Sequence, residues 1–313
     1  MLCSIQMSSL STRENLFDQV REFVENRDIK VEKTHFKGNP FNESLGLLYM
    51  THFHKNSSTL LSGKRLNIVN VLKFSDYSVS WKCGSKKGKR GDISLPKKFY
   101  QRLLGRKTSD LERIDIGETK STKDMLQLTY DRFLHSRFVI CYVDIKKCEQ
   151  FDKDDHANVL VFDRLNMTME RFEPHGAKMD FYDYKMFDLP FGKALKKHGI
   201  RYIEPREYIP EIGIQDIQEK EKKAYRKNGV NISVKGDPGG FCSVWCLFYI
   251  DLRLSFPNEN VGILLQMIND IMRNKFPTFG SIESTLTSYI RGYSEYMFRA
   301  GRAIFKDRIS IGL

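Results

Sequence analysis

The sequence predicts an α+β fold in which one buried helix packs against an antiparallel sheet. Three strand-like segments follow one another closely, RFVICYVDI (137–145), ANVLVFD (157–163) and MTMERFE (167–173). Their β-branched and aromatic content and short connections suit neighbours in one sheet. The stretch from Phe241 to Leu254 is apolar on almost every side, the mark of a helix enclosed by a fold rather than lying on its surface.

The elements follow in chain order. Ser11, Thr12, Arg13 and Glu14 read as a capping box that starts an amphipathic helix over NLFDQVREFVEN (15–26). RLNIVNVLKF (65–74) and YSVSWKC (77–83) read as short strands, and Pro96 opens a helix at PKKFYQRLLG (96–105). A further helix is expected around 122–134, ahead of the three strands. Beyond them come a helix near 191–198, a strand at IRYIE (200–204), a helix over 214–226 and a Gly-rich turn before Cys242. Helices near 258–274 and 281–305 close the chain. This divides it into an N-terminal mixed α/β extension, 1–120, with a basic loop, and a main domain, 121–313.

With 313 residues, 41% of them hydrophobic and 12% aromatic, the chain can bury a substantial core. The run VWCLFYI (244–250) is far shorter than the roughly 20 residues a membrane span needs, so no span is expected. The N-terminus lacks the basic and apolar regions of a secretory signal, which makes its four Asn-x-Ser/Thr sites unused and its compartment reducing. The six cysteines (Cys3, Cys83, Cys141, Cys148, Cys242, Cys246) include no C-x-x-C pair, against a zinc ribbon or a disulfide framework. No metal site or cofactor is expected. His52 and His54 have alternate spacing that suits a metal, but no partner ligand is identifiable, and two residues on an exposed strand face account for them. The net charge of +12 is concentrated: ten Lys or Arg lie between Lys82 and Lys107, against the single acid Asp92. Lys86, Lys87, Lys89 and Arg90 form the centre of this candidate polyanion site; a solvated basic loop is the alternative.

The second and third strands are joined by DRLN or part of it, which makes a hairpin. In a symmetric hairpin Asp163 faces Asn166 and His156 faces Glu173. Directly opposed side chains have Cβ atoms about 4.5–5.5 Å apart, close enough for an imidazole–carboxylate hydrogen bond. Such a carboxylate orients an imidazole and raises its basicity; a surface cross-strand pair is the plainer alternative. Cys242 follows Gly239, Gly240 and Phe241 at the start of the buried helix, where free N–H groups and the helix dipole favour a thiolate. A small apolar core residue, like Cys246 one turn on, is the competing reading. His175, in the EPHG turn, is either a substrate contact or a turn residue without a role.

The set HANVLVFD, ERFEPHG, DPGGFC and YIDLRL, with Glu173 spaced 17 residues after His156, resembles the adenain and SUMO-protease-like cysteine peptidases, above all members from giant and algal DNA viruses. The resemblance covers residues 135–256. It implies a papain-like fold, Cys242 as nucleophile, His156 as general base and Glu173 as the acid orienting it. Three positions depart from the family pattern. Ala157 follows the histidine where Trp is usual, and Ser243 follows the nucleophile where Gly is usual. Lys235 and Gly236 stand where a Gln would complete the oxyanion hole. Lys235 is thus the oxyanion-hole candidate, and Gln215 a distant substitute expected on the surface. The implied activity is cleavage of viral capsid or core precursor proteins during virion maturation, in the virion and the cytoplasmic viral factory. Alternatives are a catalytically weak or inactive papain-fold minor capsid protein, and a deubiquitinase or deSUMOylase.

Overall fold

The computed structural model describes residues 2–25, 59–61, 64–66, 69–72, 137–145, 156–177, 184–218, 241–275 and 282–310. Within them a five-stranded mixed sheet runs in the order β3-β4-β5-β6-β7, where β3 is Val69–Leu72, β4 Phe138–Ile145, β5 His156–Asp163, β6 Thr168–Phe172 and β7 Arg201–Ile203. A separate pair, β1 (Thr59–Leu61) and β2 (Lys64–Leu66), is antiparallel. The helices are α1 (Leu2–Glu25), α2 (Tyr184–Lys196), α3 (Cys242–Ser255), α4 (Val261–Lys275) and α5 (Ile282–Ser310). A short helical segment occupies 214–218. The α+β class and the central buried helix are as expected.

The sheet is antiparallel only at its centre, β4-β5-β6. Both edges, β3 and β7, run parallel to their neighbours. The segment 65–74, expected as one strand, carries parts of two, β2 and β3, which belong to different sheets. Strand β3 belongs to the expected N-terminal extension yet pairs with β4. Helix α1 belongs there too, but its Val20, Phe23 and Val24 are buried in the same core as α3, with Phe23 edge-on to Phe248 at 5.9 Å and to Phe256 at 5.8 Å. Residues of α1 and α3 therefore share one core cluster. The Ser11–Glu14 box does not start this helix, which already runs from Leu2. The expected strand 77–83 and the helices at 96–105 and 122–134 lie outside the described residues.

Alternation along β6 fixes the layers. Phe172 stacks on Tyr249 of α3, with centroids 4.2 Å apart, so this face of the sheet meets α3. Its neighbour Arg171 must face the other way, and there Asp188 of α2 meets it at 2.8 Å. Phe191 of α2 is edge-on to Tyr202 of β7 at 5.1 Å, closing that side. Helix α3 is thus enclosed by the sheet on one side and by α1 and α5 on the other. Phe248 touches Phe23, Trp245, Tyr289 and Tyr293. Each such aromatic removed from water is worth about 2–3 kcal/mol, which explains why this segment carries so little polar sequence. Its one buried carboxylate, Asp251, accepts a hydrogen bond from Tyr293 Oη at 3.0 Å.

Candidate active site

The β5–β6 hairpin delivers the first two residues, with a register two residues away from the symmetric expectation. Asp163 pairs with Thr168 rather than Asn166, and Val159 with Phe172. The connection is longer because Asp163 organises it: its carboxylate accepts from the Leu165 amide at 2.9 Å and from Asn166 Nδ2 at 2.8 Å, while Met167 takes φ 51°. Arg137, just before β4, anchors the same carboxylate at 2.8 and 3.1 Å. His156 therefore does not face Glu173 directly. Glu173 lies one residue past the end of β6, and its side chain reaches diagonally.

The two side chains still meet. His156 Nε2 is 2.6 Å from Glu173 Oε1, with the imidazole only 6% exposed and the carboxylate 0% exposed. Glu173 is held from three directions: Oε1 also accepts from the His175 amide at 3.0 Å, and Oε2 lies 3.4 Å from Arg171 Nη1. Arg171 is in turn fixed by Asp188 and Asn158 on the α2 side of the sheet. Burial alone would push the Glu173 carboxyl up, but His156, Arg171 and the His175 amide reverse this and hold it below its usual value.

Helix α3 brings the cysteine. Cys242 is its first residue and is partly exposed, whereas Cys246 is buried. Cys246 Sγ donates to the Ala157 carbonyl at 3.5 Å, tying the first turn of α3 to the residue after His156. A hydrogen bond with Cys242 is among the interactions that raise the proton affinity of His156. Burial lowers the His156 pKa, but the Glu173 charge and the hydrogen bonds to Cys242 and Glu173 overcome this and carry it from 6.5 to about 9. The imidazole is thus held protonated at neutral pH between a carboxylate and a sulfur at a helix N-terminus.

The EPHG turn is built on a close backbone contact. The Gly213 amide donates to the His175 carbonyl at 2.8 Å and the Gln215 amide to the Pro174 carbonyl at 3.0 Å. Gly176 has φ 106°, and a Cβ there would lie 2.4 Å from the Glu211 oxygen. At Gly213 a Cβ would lie 2.3 Å from both Gly176 N and Pro174 O. Only two glycines permit this approach. His175 donates from Nδ1 to Asp216 at 2.8 Å. Gln215, expected on the surface, is 2% exposed; its segment lies under the turn instead of in solvent. One turn along, Gln218 Oε1 accepts from Trp245 Nε1 at 3.4 Å, bringing this segment against the start of α3.

Sequence reasoning did not find Arg171, Asn158, Asp188, Gly213 or Asp216. The only signal for Arg171 was its position two residues before Glu173, on the same face of the strand. Lys235, Lys86, Lys87, Lys89, Arg90, His52 and His54 lie outside the described residues. Among the described residues, no group of three or more His, Cys, Asp or Glu side chains is arranged to hold a metal ion, and no helix is long and apolar enough to cross a membrane.

No family model matches the chain, and no solved structure matches it. It is 32% identical over 155 residues to a putative ankyrin repeat protein of Acanthamoeba polyphaga mimivirus. That match covers 45% of this chain and 18% of the mimivirus protein. The chain is therefore similar to part of a much longer viral protein. Ankyrin repeats stack pairs of helices; the described residues here are organised around a mixed sheet.

Proposed function

We propose that the chain is a cysteine peptidase with a papain-like, adenain-type fold, which cleaves capsid or core precursor proteins of a large DNA virus during maturation. One observation carries this reading: a partly exposed cysteine at the N-terminus of a buried helix lies beside an imidazole whose far nitrogen is 2.6 Å from a fully buried carboxylate. The antiparallel centre of the sheet, packed on that helix, is compatible with the fold, and the viral relative with the setting.

In the reaction the Cys242 thiolate attacks the peptide carbonyl carbon. His156, protonated in the resting site, gives its proton to the leaving amine, and the acyl-enzyme forms. His156 then takes a proton from water, which attacks the thioester and releases the acid and Cys242. Glu173 keeps the ring oriented and its charge balanced throughout. Lys235 is the proposed oxyanion donor, and residues 82–107 the proposed contact to nucleic acid or acidic viral proteins. Virion and viral factory are the proposed locations.

A non-catalytic structural role in the virion is favoured by Lys235 and Ser243, which stand where the resembled family has Gln and Gly. Iodoacetamide mapping of the purified chain near neutral pH separates the readings. Cys242 is expected to be alkylated first. Rapid modification of Cys3 or Cys83 with Cys242 inert would remove the nucleophile assignment, and normal particle maturation with Cys242→Ala would remove the proposed role.

A further inference from the structure

The turn after Glu173 places a second imidazole against the first. The ring centroid of His175 lies 4.9 Å from that of His156, with the planes inclined by 43°. His175 is held at three points: its amide on Glu173 Oε1 at 3.0 Å, its carbonyl under the Gly213 amide at 2.8 Å, and its Nδ1 on Asp216 Oδ1 at 2.8 Å. The bond from His156 Nε2 to Glu173 fixes one end of that ring but leaves its tilt about the bond loosely set. A ring packed against its face removes this freedom, and a site is only as well ordered as the groups that support it.

We propose that His175, oriented by Asp216, is a positioning residue that sets the plane of the His156 ring so that its second nitrogen points at Cys242. The inference rests on the peptidase reading of Cys242, His156 and Glu173. An apolar ring at 175 would fill the same space, but it would leave Asp216 with no imidazole to orient. The carboxylate has a defined place because its helical segment is bonded to the turn through the Gln215 amide and Pro174. Glu173 Oε1 accepts from both His156 and the His175 amide, so a displaced His175 disturbs both ends of the imidazole–carboxylate pair.

A double-mutant cycle on the full chain tests this, using His175→Ala, Asp216→Ala and the double variant. Two readouts are taken: the NMR titration of the His156 imidazole and the rate of Cys242 alkylation by iodoacetamide. Each single substitution is expected to lower the His156 midpoint by about half a unit or more and to slow alkylation about tenfold. The double variant is expected to be no worse than His175→Ala, because Asp216 acts only through His175. Additive losses, or a His156 midpoint unmoved by either change, would overturn the proposal. If His175→Ala does not fold, His175→Phe takes its place in the same cycle, keeping a ring and losing the bond. Should Cys242 of the unaltered chain show no preferential alkylation, the peptidase reading falls, while the His156 titration still decides the positioning role.

Discussion

Replacing Glu173 by Gln removes one negative charge from the site with almost no change in volume. In the unaltered chain burial disfavours the protonated imidazole, but Glu173 and Cys242 together outweigh it and carry His156 from 6.5 to about 9. That displacement equals about 3 kcal/mol of preference for the protonated ring. With Cys242 still contributing, about 2 kcal/mol should vanish in the variant, lowering the His156 midpoint by about 1–2 units. The folded-state pKa of His156 is raised, so its support is complete below 6.5 and fades as pH rises to about 9. The folded-state pKa of Glu173 is lowered, so its support is complete above 4.5 and fades as pH falls through the depressed value. The stability gap between wild type and Glu173→Gln should therefore be widest between those limits, near 2 kcal/mol, and close toward pH ~9. Peptide hydrolysis should fall by about 10²-fold or more, because the ring loses its orienting partner. Histidine NMR titration and urea unfolding across that pH range read both quantities. A His156 midpoint near 6.5 in the wild type, or a stability gap independent of pH, would show that Glu173 does not hold the imidazole protonated.

Gly213→Ala should cost about 3 kcal/mol and abolish hydrolysis, since its Cβ meets backbone atoms at 2.3 Å. Gly199→Ala, at φ 74° with nothing within 4 Å, should cost only about 1 kcal/mol by denaturant unfolding, and equal losses at the two sites would refute the contact argument. Lys235→Gln should raise peptide hydrolysis by up to about 10²-fold if the new amide completes the oxyanion hole, while leaving Cys242 alkylation unchanged. Reduced hydrolysis would instead mark Lys235 as a working donor. Residues 82–107 should bind DNA or RNA with an affinity that falls steeply with salt. Retained binding after Lys86, Lys87, Lys89 and Arg90 are changed to Ala would leave that segment a solvated loop.

Local pattern along the chain was enough to settle several parts of this fold. The all-apolar stretch after Phe241 had to be an enclosed helix, since no exposed surface accommodates it, and α3 is enclosed. The close succession of strand-like segments after residue 137 required a hairpin, and the observed two-residue shift of its register keeps His156 and Glu173 on one face. Cys242 was placed at a helix start by the glycines before it. Tertiary structure alone decided the register, because the side chain of Asp163 bonds the turn amides and lengthens the connection. It also decided that α1 joins the main core and that β3 pairs with β4, since helix docking and parallel pairing depend on partners distant in sequence. The supports of the site were equally hidden. Arg171 finds Asp188, His175 finds Asp216 and Gly176 meets Gly213 across separations that no local spacing encodes. Hydrophobic periodicity reports which face of an element is buried, but a hydrogen bond between side chains 41 residues apart exists only once the chain has closed around them.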